Sequence, residues 1–361
     1  MRLALFISSL DSGGAERALS ELANYWSTKG HKVHLCVLTS PDKEPFYPLH
    51  TNVILHHLDV MTPENTSFFK RYFTLYRRIK VLRHVLKSLK PDVILSFMDV
   101  LNVQVIMASL GLGRKVIACE RTNPFMRPLP CFYKILRKGT YPFAKIVVQT
   151  KSVKKYFSFL KAQKVYVIPN TLTLHSSPLK TFKKNLIVSV GRLDFYKGFD
   201  LLIKAFHKVH QDYPDYKVYL YGKGPDLEKL SNLVKKLGLQ SKIHFKGTTK
   251  NIEQALAQAS LFVFPSRFEG FPNALTEALA MGLPCLASDI AGCNDLIQHN
   301  RNGLLFESEN IEDLTHHLRS LLSKASLRTK IAKNAVHVRD HLSPDRIYPL
   351  WDALLPQEDD L

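Results

Sequence analysis

The chain has 361 residues, 45% of them hydrophobic, and a formal net charge of +19. That length and apolar content place it among globular proteins of two domains. Its five cysteines, Cys36, Cys119, Cys131, Cys285 and Cys293, form no Cys-x-x-Cys pair, which argues against a disulfide or metal framework and for a reducing compartment.

The charge is unevenly placed. Residues 1–175 hold 26 Lys and Arg against 10 Asp and Glu, a balance of +16, and residues 176–361 are nearly neutral at +3. A basic first half implies a polyanionic neighbour for that half alone. Met1 to Leu10 is too short and too weakly flanked for a secretory signal and reads as a strand. Val93 to Leu112 is interrupted by Asp99, Asn102, Gln104 and Ser109, so a buried strand followed by a helix fits it better than a membrane span.

In chain order, Arg2 to Ser8 reads as a strand, Asp11 to Gly14 as a turn, and Ala15 to Lys29 as a helix with apolar spacing through Leu19, Leu22, Ala23 and Trp26. Lys32 to Thr39 and Val53 to Leu58 are further strands, an order that predicts a parallel, doubly wound sheet. Phe68 to Leu89 is a long basic helix carrying Lys70, Arg71, Arg77, Arg78, Lys80, Arg83 and Lys87. Its stripe runs through Phe69, Tyr72, Phe73, Tyr76, Ile79, Leu82 and Leu86. A helix lying on an anionic membrane and a core-packed helix with a solvated basic face both fit it.

Lys115 to Cys119 and Lys145 to Gln149 are strands. Between them Pro124 to Pro142 is basic and aromatic, with Phe125, Arg127, Phe132, Tyr133, Lys134, Arg137 and Lys138. A second membrane or acceptor contact and a plain loop with a helix fit it equally. Residues 1–169 form the expected first domain, 170–184 a polar linker, 185–342 a second domain and 343–361 a closing helix and tail. The second alternating series has strands near 186–190, 218–221, 243–245, 261–264, 285–287 and 303–306. Its helices lie near 200–212, 227–237, 252–258, 274–281 and 311–325. The acidic tail, Glu358 to Asp360, reads as disordered.

Chemistry concentrates after Phe264. Pro265, Ser266 and Gly270 open a loop, Asn273 reads as an N-cap, and Gly282 with Pro284 stops the helix. Glu269 lies in the loop and Glu277 near the helix start, with free helix N–H groups between them that can seat a phosphate. Two flanking hydroxyl acceptors suit a nucleoside diphosphate with sugars at both ends. Arg192 and Lys197, after another strand, can meet the charge of a diphosphate leaving group. The chain has no Asp-x-Asp motif, so that charge falls to cations and helix N–H groups, and no metal is expected. Gly13-Gly14 and Gly222-Lys223-Gly224-Pro225 are glycine turns after strands, the second suited to a flat base, whose choice would rest on shape near Gly222 and Ile243.

Taken in order, these pieces resemble the family-4 retaining glycosyltransferases of the GT-B fold. The matching residues are Gly13-Gly14-Ala15-Glu16, Gly191-Arg192-Leu193 with Lys197-Gly198, Tyr221 to Pro225, and Pro265 to Asn273 with Glu277, Ala278, Gly282 and Pro284. The resemblance covers nearly the whole chain and is strongest from Val188 to Phe306. It implies an α/β protein of two Rossmann-like doubly wound domains facing each other across a cleft. The second domain would hold a nucleotide-sugar, most simply a UDP-hexose or UDP-N-acetylhexosamine, as co-substrate. Glu277 would hold the ribose hydroxyls and Glu269 the transferred sugar. Arg192, Lys197 and the N–H groups of Asn273, Ala274 and Leu275, beside Gly270 and Phe271, would hold the diphosphate, with Gly14 brought against it. The last helix, near Arg346 to Leu355, would pack on the first domain.

Many relatives carry a first-domain histidine where this chain has Ala118-Cys119-Glu120-Arg121-Thr122. A Glu-Arg pair there resembles the branch that builds bacterial surface and lipid-linked oligosaccharides. It implies either contact of Glu120 or Arg121 with donor or acceptor, or a structural ion pair. The expected partners are an anionic lipid-linked or polysaccharide acceptor and the inner face of the cytoplasmic membrane. A nucleotide-sugar epimerase or phosphorylase is the alternative within the fold, and nucleic-acid binding has no supporting motif.

Overall fold

The computed structural model describes residues 1–61, 68–125, 129–174, 176–178, 185–249 and 251–356, with the backbone alone for 68–73. Arg127, the tail Glu358 to Asp360 and linker residues 179–184 lie outside the described residues, as do the side chains of Phe69, Lys70, Arg71, Tyr72 and Phe73. The chain forms two units, Met1–Thr171 with Ile347–Leu361, and Leu172–Arg346.

In the first unit the strands are β1 (Arg2–Ile7), β2 (Lys32–Val37), β3 (Ile54–His57), β4 (Val93–Phe97), β5 (Lys115–Cys119), β6 (Lys145–Val148) and β7 (Val165–Val167). They lie in the order β3-β2-β1-β4-β5-β6-β7, all pairs parallel. Helices cover such a sheet on both faces, so its strands read as unbroken apolar runs. All five residues of β4 are buried. In the second unit β8 (Leu186–Val190), β9 (Lys217–Tyr221), β10 (Ile243–Gly247), β11 (Leu261–Phe264), β12 (Cys285–Ser288) and β13 (Leu304–Phe306) lie in the order β10-β9-β8-β11-β12-β13, again parallel. Each sheet reverses direction beside its first strand, between β1 and β4 and between β8 and β11. Ligands of open α/β sheets bind outside the carboxyl ends of the strands at that reversal.

The first unit's helices are α1 (Gly14–Thr28), α2 (Phe68–Leu89), α3 (Asp99–Ser109), α4 (Cys131–Thr140) and α5 (Lys151–Tyr156). In its described part α2 takes the core-packed role. Leu82 and Leu86 are buried. Arg78 donates to the Val60 carbonyl at 2.9 Å, and Arg83 donates to the carbonyls of Ala108 and Leu110 at 2.9 and 2.8 Å. These cations therefore satisfy backbone acceptors that would otherwise lack a donor. The helix expected over 311–325 ends at Ser323, and a second runs over Ala325–Ala335. Lys324 between them is extended, and Arg328 caps the first with a hydrogen bond to the Leu322 carbonyl at 3.0 Å.

The helix Pro344–Asp352 ends on α1. Asp352 accepts from the Tyr25 hydroxyl at 2.6 Å and from the Trp26 indole N–H at 2.9 Å. Tyr348 stacks on Tyr25 with ring centroids 4.0 Å apart. Hydrogen bonds to a charged acceptor are the stronger kind, and two donors here depend on one carboxylate. Asp352→Ala is therefore expected to cost about 3 kcal/mol by leaving both donors unpaired. Chemical denaturation measures this, and an unchanged midpoint would sink the clasp.

Candidate functional site

Several loops of the second unit meet at the carboxyl ends of β8, β9 and β11. After β8, the Gly191 N–H donates to the Tyr221 carbonyl at 3.0 Å and the Leu193 N–H to the Lys223 carbonyl at 3.0 Å. The loop is thus zipped to the turn that follows β9. Gly222 sits at φ +146°, and a Cβ there would lie 1.8 Å from the Gly191 carbonyl oxygen. One at Gly224 would lie 2.2 Å from the Leu193 oxygen. The close approach these glycines permit is therefore of one protein loop to another.

Asp194 then caps a single 3-10 turn, Phe195–Lys197, by accepting from the Lys197 N–H at 3.3 Å. Gly198, at φ +64°, turns the chain into α6 (Phe199–His207), and its Cα faces the Pro265 carbonyl so closely that a Cβ would lie 2.0 Å from that oxygen. This contact brings the turn against the loop after β11. Lys197 Nζ lies 2.6 Å from Glu269 Oε1. The Ser266 hydroxyl donates to the same carboxylate oxygen at 2.7 Å. Glu269 is 8% exposed and Ser266 is 1% exposed, so the pair is shielded from bulk water while Lys197 remains partly open. An ion pair screened this way interacts more strongly than a surface pair.

Arg267 holds the two loops together, and the sequence reading missed it. Its guanidinium forms a two-pronged pair with Asp200 at 2.9 and 3.0 Å and donates to the Phe195 carbonyl at 2.6 Å and to Glu309 at 2.9 Å. Its backbone N–H donates to the Tyr196 carbonyl at 2.8 Å. Its place inside the Ser266 to Asn273 motif was the only sequence signal, because Asp200 and Glu309 are distant in the chain. Gly292 was missed too. It backs the loop, where a Cβ would lie 3.3 Å from Glu269 Cβ.

The helices before the next strand are α7 (Leu227–Lys236), α8 (Ile252–Ala257) and α9 (Asn273–Ala280). Asn273, expected as the N-cap of α9, is its first residue, and Pro272 occupies the cap position without a side-chain bond. The Pro272 carbonyl accepts from the Thr276 N–H at 3.0 Å, which starts the helix there. Ala274 and Leu275 thus place first-turn N–H groups, without an intrahelical acceptor, at the loop. Glu277 lies one turn after Asn273 on the same face and is 7% exposed. Gly282, at φ +75°, ends the helix, its N–H donating to the Leu279 carbonyl at 2.9 Å. Gly270 and Phe271, both half-buried, join Glu269 to this helix.

The structure sets Lys197, on the turn after β8, against Glu269, which runs with Gly270, Phe271, Asn273, Ala274, Leu275 and Glu277 along one loop and helix. Arg192 follows β8 in the same region, but its side chain is 70% exposed and pairs with Asp194 at 3.5 Å. Ile243 is separated from them. It opens β10, is 3% exposed and belongs to the unit's core, because an apolar side chain at that end of the strand faces inward. Gly247, at the other end, is the β10 neighbour of Gly222, accepting its N–H at 2.8 Å.

In the first unit, Gly14 opens α1 behind Gly13, with the Glu16 carboxylate folded over Gly13. Burial pushes the Glu16 carboxyl above its ordinary range. Glu120 is 1% exposed. It accepts from the Tyr141 hydroxyl and faces Arg137 at 3.9 Å, so the ion pair it forms is with α4, not with Arg121. Burial raises its pKa, against the charge of Arg137. Arg121 instead lies over the Phe97 ring at 4.0 Å and donates to Asn170 at 2.7 Å. At the sheet reversal Met98 takes φ +81°, a left-handed value rare for its residue type, and Asp99 follows it.

Residues 172–338 match the model for the group 1 glycosyl transferases, and residues 12–175 match that for Glycosyltransferase Family 4. A Campylobacter jejuni protein named GalNAc-alpha-(1->4)-GalNAc-alpha-(1->3)-diNAcBac-PP-undecaprenol alpha-1,4-N-acetyl-D-galactosaminyltransferase is 31% identical over 346 residues, covering 93% of this chain and 92% of its own. The chain is a family 4 glycosyltransferase. The amylovoran biosynthesis glycosyltransferase AmsD of Erwinia amylovora is 27% identical over 368 residues, covering 98% of this chain and 99% of its own. Among solved structures, sucrose-phosphate synthase from Thermosynechococcus elongatus matches with a TM-score of 0.84 at 17% identity, over 98% of each chain. Anabaena HepE in complex with UDP matches with a TM-score of 0.79 at 16% identity, over 98% of this chain and 99% of that one. The glycosyltransferase thus has the GT-B fold.

Burial pushes the Asp200 carboxyl up, but the hydrogen bonds and charge of Arg267, with Lys204, outweigh it and hold the group below its ordinary range. A carboxyl depressed by folding adds stability above its unfolded value of about 4, and that stability is lost as pH falls through the lower folded value. Stability is therefore expected to fall as pH drops from about 5 to below 4, with a shallower fall in Asp200→Asn. Arg267→Ala, which removes the two-pronged partner of Asp200 and leaves it only Lys204, is expected to cost about 2–3 kcal/mol at neutral pH. Denaturation curves across that range check both, and equal pH slopes for wild type and Asp200→Asn would refute the clamp.

Proposed function

We propose that the glycosyltransferase moves a hexose or N-acetylhexosamine from a UDP-sugar to an anionic lipid-linked or polysaccharide acceptor, with retention of anomeric configuration and without a metal ion. The observation that carries this reading is the Lys197–Glu269 pair at 2.6 Å, set beside the N-terminus of α9 at the sheet reversal. It joins, at one point, the cation a diphosphate needs and the acceptor a sugar hydroxyl needs. Glu277, one turn along α9, takes the ribose hydroxyls, and the N–H groups of Ala274 and Leu275 take phosphate oxygens. Arg192, mostly exposed after β8, would supply a second cation to the same diphosphate. The absence of an Asp-x-Asp motif in the sequence leaves leaving-group charge to these cations and N–H groups.

The acceptor side is the first unit, where the strained Met98 presents Asp99, and Thr122 donates to Asp99 Oδ2 at 3.4 Å. Glu120, buried against Tyr141 and Arg137, positions the Glu120 to Thr122 segment and does not itself meet the reacting atoms. We favour front-face displacement: the departing phosphate, held by Lys197, takes the proton of the attacking hydroxyl as the new glycosidic bond forms and the sugar–phosphate bond breaks. The lipid-linked class of acceptor is supported by the name of the Campylobacter jejuni relative and by the +16 balance of residues 1–175. The place of action that follows is the inner face of the cytoplasmic membrane. Among the described residues no helix is long and apolar enough to cross a membrane.

UDP is expected to raise the melting temperature more than ADP or GDP. Glu277→Ala should weaken UDP about tenfold to a hundredfold by removing hydrogen bonds to a charged group, with the fold intact by circular dichroism. Lys197→Ala should lower kcat about a hundredfold or more by removing the cation on the leaving group. Unchanged UDP affinity in Glu277→Ala would overturn the donor assignment. Donor turnover without any acceptor would point to an epimerase.

A further inference from the structure

We propose that α4, the turn Tyr141–Phe143 and the segment Phe157–Lys164 form a single face that docks on an anionic lipid bilayer. The inference deepens the reading of a membrane-linked acceptor and rests on it, but its test uses neither donor nor acceptor.

The polarity of α4 is inverted for a helix facing water. Its Arg137 is 2% exposed, lying 5.7–5.8 Å from the rings of Tyr141, Tyr156 and Phe157. Its Ile135 is 71% exposed and Phe132, one turn earlier, is 39% exposed. Glu120 and the rings offset the burial of Arg137 from within, but the exposure of isoleucine and phenylalanine is unfavourable unless something apolar covers the outer face.

The exposed apolar surface continues past the helix. Phe143 is 65% exposed and Phe159 is 42% exposed. The contacts beneath them make one face of these segments. The Phe159 ring lies 6.0 Å from Phe157, and Phe157 stacks on Tyr141 at 5.9 Å. Lys164 donates its ammonium to the Pro142 carbonyl, tying the far end of the segment to the residue before Phe143.

Charge identifies what covers this face. From Arg121 to Thr171 the chain carries eleven Lys and Arg and no Asp or Glu. On α4 the exposed Lys134 and Lys138 flank Ile135, and Lys155 and Lys161 flank Phe159. A second copy of the chain would bring like charges together across such a contact, which is destabilising. An anionic bilayer meets both features, with phosphates for the lysines and the interfacial layer for the aromatic and aliphatic side chains. The basic helix α2 is the weaker candidate, since Arg78 and Arg83 are committed to backbone carbonyls within the unit.

The test is co-sedimentation of the full chain with vesicles of phosphatidylglycerol and phosphatidylcholine in equal parts, against phosphatidylcholine alone. Wild type is expected to bind the anionic vesicles at low salt, to ignore the neutral ones and to be released by high salt. Phe132→Ser/Ile135→Ser/Phe143→Ser should bind about tenfold less or weaker, with an unchanged melting temperature. Should that variant fail to fold, Lys134→Gln/Lys138→Gln should lose about fivefold per lysine. The proposal is overturned if wild type ignores the anionic vesicles, or if the folded variants bind as wild type does. It is also overturned if the face instead drives self-association that Ile135→Ser abolishes. UDP-induced thermal shift, measured separately, tells failure of this surface from failure of the transferase reading.

Discussion

The ion pair between Lys197 and Glu269 depends on backbone conformations that side-chain chemistry alone does not provide. The two residues are 72 positions apart in the chain. They meet because Gly198 takes a left-handed turn tight against Pro265 and because Arg267 binds Asp200, Glu309 and the Phe195 carbonyl at once. Neither contact touches the reacting groups, yet both fix where the cation stands. Left unpaired, either group would be a partly desolvated charge; set against each other, the two charges offset.

The same logic explains the glycines around β8 and β9. Gly222 and Gly224 pack their backbones on Gly191 and Leu193 at distances no side chain tolerates. The floor of the site is thus made of main chain, with its N–H and C=O groups bonded across the two loops. Main-chain contacts of this kind fix the two loops to each other without any side chain between them.

The first unit shows how one composition serves two purposes. Arg78 and Arg83 of α2 turn to backbone carbonyls, and Arg137 is drawn into an aromatic and carboxylate setting with Tyr141 and Glu120. The lysines of α4 and its neighbours stay outside with Ile135 and Phe143. Net charge does not distinguish these fates. The distinction comes from which face of each helix the sheet covers.

Much of the fold was legible in the order of residues. Parallel strands covered on both faces must be apolar throughout, so runs such as Val93–Phe97 and Leu261–Phe264 announced themselves, and glycines marked the turns after β1, β8 and β9. The Glu269 to Asn273 motif with Glu277 was legible as one loop and helix start because its parts are local. What the tertiary structure alone decided was contact between distant segments. Arg267 and Gly292 had no local signal for their partners. Ile243 was expected beside Gly222 in shaping the base site, but it pairs with Val218 at the opposite end of its strand and lies in the core. The partner of Glu120 proved to be Arg137 on α4, not the adjacent Arg121. Periodicity and turn chemistry are properties of a few neighbouring residues, whereas the partner of a charged side chain is set by how strands and helices are stacked, and no short stretch of sequence contains that information.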